Sequence, residues 1–170
     1  MKLKVRELVV LGLLTALVYV AQIALAFLPN IELVSLLFIL YTLVFGPKVL
    51  YIIYTFALLE GLLYGFGIWW ITYLYVWTIL AGLTWCFRKM ESSLGWAILS
   101  GAYGLAFGAL CEISHFFFVG WQGMVASWLA GLTFDIAHCV GNFLAALALF
   151  KPLLHLLKRL AAQTQTGYQP

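Results

Sequence analysis

The sequence predicts an all-α membrane protein with six transmembrane helices, both termini on the cytoplasmic side, and a short second helix. The first observation is composition: 65% of the 170 residues are hydrophobic and only 9% are charged, with a mean hydropathy of +1.07. Soluble domains carry about a quarter charged residues, because a surface that faces water needs them. The second is the division of the chain into six apolar runs, and the third is the placement of its basic residues.

The apolar runs predict helices at residues 8–28, 33–45, 49–64, 69–87, 94–119 and 125–150. A spanning helix needs about 20 apolar residues, so the second is short. It ends at Gly46-Pro47, since proline cannot donate into a helix and restricts the residue before it. The first run resembles a signal peptide in its basic start, but it is long for one, and we expect an uncleaved helix. We predict a single domain over residues 1–160 and a disordered cytoplasmic tail over 161–170.

The basic residues predict the orientation. They lie before the first run or after the second, fourth and sixth runs: Lys2, Lys4, Arg6, Lys48, Arg88, Lys89, Lys151, Lys158 and Arg159. The other gaps contain no Lys or Arg. Short loops rich in Lys and Arg stay in the cytoplasm, which predicts that both termini are cytoplasmic. The net charge of +3 therefore indicates topology and contact with anionic lipid rather than nucleic acid.

The sequence lacks the motifs typical of disulfide-rich, zinc-binding, nucleotide-binding and hydrolytic proteins. Cys86, Cys111 and Cys139 lie in apolar runs without CxxC spacing, which favours neither a disulfide framework nor a zinc site. The sequence contains no nucleotide-binding loop, GxSxG elbow or HExxH motif. We therefore predict no enzymatic activity and no cofactor, and active import would need energy from another subunit.

Four acidic residues are candidates for function: Glu32, Glu60, Glu112 and Asp135. Ionisable groups within membrane helices are expensive and mark functional sites by default. In the predicted topology all four lie in the outer half of the membrane or near its middle. The polar constellation is therefore expected to open outward.

Helices five and six each carry a stripe of polar and small residues. In helix six Trp128, Gly131, Asp135, His138 and Asn142 recur at spacings of three and four, which places them on one face. Helix five offers a matching stripe whose glycines permit a neighbouring helix to approach closely: Gly101, Gly104, Gly108, Glu112 and His115.

Two carboxylate–imidazole pairs are predicted at a spacing of three residues, Glu112 with His115 and Asp135 with His138. One interpretation is that each carboxylate only makes the burial of its histidine tolerable. The other, which we favour, is that some of these groups also line a ligand cavity, because four such groups in one layer exceed structural need.

Aromatic residues are concentrated on the same side. Trp70, Tyr73 and Trp77 form one helical stripe, and Trp121 and Trp128 lie near the outer surface. An interfacial aromatic belt explains part of this pattern. A belt is two-sided, however, and the external excess predicts an aromatic-lined mouth for a bulky, planar or partly apolar ligand.

Helix one carries no buried charge, but Gly12 and Ala16 form a small-residue face near its cytoplasmic end. Such a face favours contact with another helix of the same or a different protein.

These features together resemble the substrate-binding S component of energy-coupling factor (ECF) vitamin transporters. Three stretches carry the likeness: LPNIELVSLL at 28–37, entering the short second helix; YTLVFGPK at 41–48, ending it; and FDIAHCVGN at 134–142 in helix six. The resemblance covers nearly the whole chain.

The resemblance implies partners and a site. The family presents an Ala-x-x-x-Ala face on helix one to a membrane-embedded coupling subunit, which two ATPases drive. Gly12 and Ala16 match that face, with one alanine replaced by glycine. The vitamin would bind from outside, near His115, Trp121, Trp128, Asp135, His138 and Asn142, with Glu112 close by. The predicted substrate-binding residues also include the aromatic stripe of Trp70, Tyr73 and Trp77.

The chain looks most like the cobalamin-type S component of a bacterial cell membrane, and folate, riboflavin, queuosine-type precursors and pantothenate stay open. One alternative is a stand-alone proton-coupled carrier that uses Glu112, His115, Asp135 and His138 as a relay. Such relays continue to the far side, where this chain has few titratable groups. A further alternative is a haem protein with His115 and His138 as axial ligands.

Overall fold

The computed structural model of the chain describes residues 5–28 and 30–166, with side chains through residue 162. Its helices are α1 (Val5–Leu25), α2 (Val34–Phe45), α3 (Val49–Tyr64), α4 (Ile68–Cys86) and α5 (Ser93–Thr166), with a 3-10 turn at Gly46–Lys48 between α2 and α3. The described residues contain no strand. The all-α prediction is therefore confirmed.

Four helical stretches of the described chain are long and apolar enough to cross a membrane: Val5–Leu25, Val34–Tyr64, Ile68–Cys86 and Ser93–Ala162. This is compatible with a membrane protein. The prediction of six membrane spans is not supported by this count of four. The difference arises because two of the four stretches run across a turn. Val34–Tyr64 contains the 3-10 turn that follows the 12-residue α2, and Ser93–Ala162 contains Gly120, whose backbone is not helical.

The chain nevertheless reverses direction at the 3-10 turn. The rings of Phe38 and Phe56 have centroids 5.6 Å apart, whereas a continuous helix would separate positions 18 residues apart by about 27 Å. Gly46 begins the turn with a φ of 58°, a left-handed conformation that glycine adopts without steric penalty. α2 and α3 are therefore two antiparallel helices.

A second reversal occurs within α5. Gly120 has a φ of 67° and a ψ of −177°, outside the helical region. The residues on either side, 93–119 and 121–166, are called here the first and second arms. The Gly108 amide donates to an Asp135 carboxylate oxygen at 3.0 Å, and the Ser127 hydroxyl donates to Glu112 at 2.8 Å. These contacts require the two arms to fold back against each other.

Glycine permits the close approach of the arms, as the sequence predicts. A Cβ atom added to Gly104 would lie 2.8 Å from the carbonyl oxygen of His138 and 2.9 Å from its carbonyl carbon. A Cβ at Gly101 would lie 3.1 Å from that of Phe143. The second arm is thus packed directly on the backbone of the first.

The core surrounds α2. Residues 34–42 are buried without interruption, so this short helix is enclosed by protein on all sides. Its Phe38 packs edge-on against Trp77 of α4, with centroids 5.3 Å apart. Trp77 also contacts Phe56 and Phe107. Such aromatic pairs contribute about 0.5–1.5 kcal/mol each beyond the burial of their area.

By contrast, α1 lies at the edge of the bundle. Leu11, Thr15 and Val18 face inward and are buried, while Gly12 and Ala16 are exposed. The predicted small-residue face therefore points away from the rest of the chain. Near its start, the Glu7 carboxylate accepts a charged hydrogen bond from Lys48.

The described residues include only part of each chain end. α5 continues to Thr166, so the helix passes residue 160, where we expected a disordered tail to begin. Residues 167–170 of that tail lie outside the described residues, as do Lys2, Lys4 and Pro29.

Gly104→Ala is expected to destabilise the protein by about 1–3 kcal/mol, because the new methyl group meets backbone atoms of the second arm and overpacks the contact. Thermal unfolding of the detergent-purified protein measures the effect. Gly82→Ala in α4 is the matched control: nothing lies within 4 Å of its Cβ, and alanine stabilises a helix by up to about 1 kcal/mol relative to glycine. Equal melting temperatures for the two variants would mean that the arms do not approach this closely.

Candidate functional site

A cavity of about 260 Å³ lies where the end of α1, the α1–α2 loop (residues 26–33), α4 and both arms of α5 meet. Tyr73, Trp77 and Phe107 form an aromatic wall. Polar lining comes from Gln22, Asn30, Glu32 and His138, and apolar lining from Leu25, Ala26, Leu28 and Ile31. The cavity therefore combines flat apolar surfaces with a few polar groups, as small-molecule sites usually do.

Glu32 and His138 tie the loop to the second arm. His138 Nε2 lies 3.1 Å from Glu32 Oε1, and the two residues are 106 positions apart in the chain. The other carboxylate oxygen accepts the backbone N–H of Ser35 at 2.8 Å. Ser35 is in the first turn of α2, where amide groups lack helical partners and favour an anion. The Glu32 side chain thus stabilises the start of α2 and also lines the cavity.

The pKa of the Glu32 carboxyl reflects these contacts. Burial alone would raise it, but the hydrogen bond and the attraction from His138, with the hydrogen bonds from Ser35, outweigh burial and lower the pKa below its ordinary value of 4.5. Glu32 is therefore an anion at neutral pH.

The α1–α2 loop rests on the second arm beyond this pair. A Cβ at Gly141 would lie 3.4 Å from the carbonyl oxygen of Asn30 and 3.5 Å from a side-chain carbon of Ile31. Asn30 has a φ of 58°, and asparagine is one of the few residues that adopts this conformation with modest strain. The loop is thus within ordinary van der Waals distance of this part of the second arm.

The aromatic wall is held in place by the core. Tyr73 stacks on Phe56 at 6.1 Å and meets Trp77 edge-on at 5.6 Å. Phe107 lies 5.4 Å from Trp77 and meets the His138 imidazole at 5.0 Å. Because each ring contacts the next, the core positions all three rings of the wall.

Trp70 of the predicted aromatic stripe has a structural role instead. Its indole N–H donates to the carbonyl of Ala57 at 2.8 Å, and its ring meets Phe66 edge-on. Trp70 thus links α4 to α3 and does not line the cavity.

Asp135 does not form the predicted pair with His138. Its Oδ1 accepts the Gly108 amide, and His138 reaches Glu32 instead. The prediction was wrong because the close approach of the arms offers Asp135 a backbone donor, while the loop brings a carboxylate from outside the helix. Asn142, on the same face, is 2% exposed and does not line the cavity.

The other predicted pair is confirmed but lies away from the cavity. His115 Nδ1 is 3.2 Å from Glu112 Oε2, and Ser127 on the second arm donates to the same carboxylate. Glu112 is buried, whereas His115 is partly exposed. This cluster holds the arms together near Gly120.

The predicted aromatic mouth is only partly present. Trp121 is 67% exposed and Trp128 is 37% exposed, and neither lines the cavity. Their neighbours Phe117 and Phe118 are also exposed. Phe117, Phe118 and Trp121 are therefore largely exposed and are not gathered over the cavity.

Of the ten predicted substrate-binding residues, Tyr73, Trp77 and His138 line the cavity. Sequence reasoning missed Gln22, Asn30 and Phe107 and left Glu32 without a partner. Gln22 could have been found as the one amide near the end of an apolar helix. Phe107 carried no signal, because an aromatic residue in an apolar run is more often part of the core.

Glu60 is a further buried carboxylate, 2% exposed, and one of its oxygens has no hydrogen-bond partner among the described residues. It lies in α3 and is not among the groups that line the cavity. The described residues contain no cluster of three or more His, Cys, Asp or Glu side chains arranged to hold a metal ion.

Comparisons of the chain with protein-family models, with curated proteins and with solved structures find no match.

Acid is expected to weaken the attachment of the α1–α2 loop. Since the pKa of Glu32 is lower in the folded protein than its ordinary value, the stability it contributes is fully present above about pH 4.5 and is lost as the pH falls through the lowered value. Thermal unfolding between pH 7 and pH 3 should therefore show a shallower pH dependence for Glu32→Gln than for the wild type. Glu91→Gln, in the exposed connection before α5, is the control, and an identical dependence for all three proteins would contradict the assignment.

Proposed function

We propose that this chain is the S component of an ECF-type importer, a six-span protein with both ends in the cytoplasm of a bacterial cell. It binds a vitamin from outside and delivers it by docking on a membrane-embedded coupling subunit driven by two ATPases. The two chain reversals, at Gly46–Lys48 and at Gly120, support six spans, because they divide the chain into six alternating helical passes.

The position of the cavity relative to the basic residues is the observation that carries the proposal. Gln22 near the end of α1 and Glu32 before α2 line the cavity. Glu7 near the start of α1 and Lys48 after α2 form an ion pair at the opposite ends of the same helices. Because Lys- and Arg-rich ends stay in the cytoplasm, the cavity opens on the external side.

The cavity's volume bears on the choice of vitamin. Ligand sites usually measure about 300–1,000 Å³, and the 260 Å³ of this cavity is just below that range. A ligand of one or two rings fits between the aromatic wall and the Glu32–His138 pair. Cobalamin, the vitamin that the resemblance favours, is far larger, and its binding would require the α1–α2 loop to leave the second arm.

The surface of α1 supports the docking step. Gly12 and Ala16 are exposed, and nothing lies within 4 Å of a Cβ added at Gly12. A coupling helix can therefore approach this face closely.

The proton-carrier alternative gains no support from the geometry of its proposed relay. His115 pairs with Glu112 near Gly120, and His138 pairs with Glu32 at the cavity. These are two separate pairs rather than one chain of proton-transferring groups.

Ligand binding is tested by titrating the purified protein, without partners, against a vitamin panel led by cobalamin, with heat or tryptophan quenching as the readout. Tight binding of one vitamin is expected. His138→Ala should weaken that binding more than tenfold, since it removes a lining group and releases Glu32. His115→Ala is the matched control and should leave affinity unchanged, because His115 does not line the cavity. Equal losses for both variants, or no binding by any vitamin, would count against the proposed site.

Docking is tested separately. Gly12→Leu combined with Ala16→Leu should leave vitamin binding intact and abolish uptake by cells that carry the coupling subunit and ATPases, because leucine side chains block the approach of a helix. Leu13→Ala, on the exposed side of the same helix, is the control. Normal uptake by the double variant would remove these residues from the docking face, and uptake without ATPases would favour the carrier.

A further inference from the structure

The second arm carries a row of basic side chains near its end, called here the basic stripe: Lys151, His155, Lys158 and Arg159. The first three are four and three residues apart, which puts them on one side of the helix, with Arg159 adjacent. All four are exposed. The sequence contains no Asp or Glu after Asp135, so the arm offers these side chains no acidic partner of its own.

The basic stripe is also free of partners elsewhere in the described part of the chain, where the ion pairs are those of Lys48, His115 and His138. Arg88 differs, because its guanidinium lies 4.2 Å from the centre of the Trp85 ring. The charges of the stripe are therefore available to an external anion.

An exposed apolar face lies beside the stripe. Leu156 is 50% exposed and Leu160 is 48% exposed. The remaining side of the helix faces the protein, where Leu157 is buried and Leu153 and Leu154 pack against the core. The arm thus has a protein-facing side, an apolar side and a basic side.

We propose that the basic stripe binds the headgroups of anionic phospholipids while Leu156 and Leu160 contact their acyl chains. Cations beside exposed leucines are typical of helices at the membrane interface, where long basic side chains extend to the headgroups and their stems cover apolar surface. Arg159 can bind a phosphate with two hydrogen bonds, and lysines add point charges. The inference needs only a membrane-embedded chain and does not rest on the proposed transport function.

The two faces favour a lipid over the other anionic partners. Nucleic acid or free phosphate would match the charges but leave both leucines in water. An acidic protein would need an apolar patch of its own in the same register. A phospholipid supplies both chemistries in one molecule and is present wherever the chain is embedded.

The proposal is tested by native mass spectrometry of the full chain released from detergent, with phosphatidylglycerol or phosphatidylcholine added. Each Lys or Arg near an anionic surface contributes a roughly fivefold preference for an anionic lipid. Lys158→Gln with Arg159→Gln should therefore reduce retention of phosphatidylglycerol by about tenfold or more and leave phosphatidylcholine unchanged. Arg88→Gln with Lys89→Gln removes the same charge and should have a much smaller effect.

Two further measurements separate the possible outcomes. Binding of phosphatidylglycerol to the wild type should weaken with rising salt, as headgroup electrostatics requires, and this readout does not depend on any variant folding. Leu156→Gln with Leu160→Gln should also reduce retention of phosphatidylglycerol. Equal retention of the two lipids by the wild type, equal loss in both charge variants, or competition by millimolar inorganic phosphate with no effect of the leucine changes would overturn the proposal.

Discussion

Backbone contact between the two arms of α5 is the constraint on which the rest of the structure depends. Gly101 and Gly104 let the second arm approach so closely that even a methyl group at either position would crowd its atoms. At this distance the Gly108 amide reaches one carboxylate oxygen of Asp135, which offsets part of the cost of burying that carboxylate. His138 lies one turn further along the same face, and its partner comes from outside the two arms.

That partner is Glu32, and the pair holds the α1–α2 loop against the second arm, where the loop forms one side of the cavity. The Glu32 carboxylate contacts both the first turn of α2 and the His138 imidazole of the second arm. The loop is therefore attached to α2 and to the second arm through one side chain. The aromatic wall on the opposite side is fixed by the core through Phe56 and Phe107. A compact ligand would meet a site whose walls are already formed, whereas a large one would have to separate Glu32 from His138.

Periodicity in the sequence predicts local features well and distant contacts poorly. The glycine stripe of the first arm and the Glu112–His115 pair follow from helical spacing alone, and both are found. The pairing of His138 with Asp135 follows from the same rule and is wrong, because the competing carboxylate is 106 positions away and no local pattern contains it. Trp70 and Trp77 share a stripe but have different roles: Trp70 bonds to α3, and Trp77 lines the cavity. Their roles depend on how α3 and α4 pack against each other, which helical spacing does not predict. The count of six spans relied on breaks in hydropathy, whereas two of the four long apolar stretches run across such a break, at the 3-10 turn and at Gly120.

The enclosure of α2 has a consequence if the chain spans a bilayer, as the length and composition of its apolar helices allow. A 12-residue helix that faced lipid would be shorter than the hydrocarbon layer by about 12 Å, and the bilayer would have to thin around it. Because residues 34–42 are surrounded by protein, no lipid contacts them and this hydrophobic mismatch does not arise. Changes in bilayer thickness therefore act on the tilt of the outer helices, α1 above all, while the helix that begins at the cavity keeps its position.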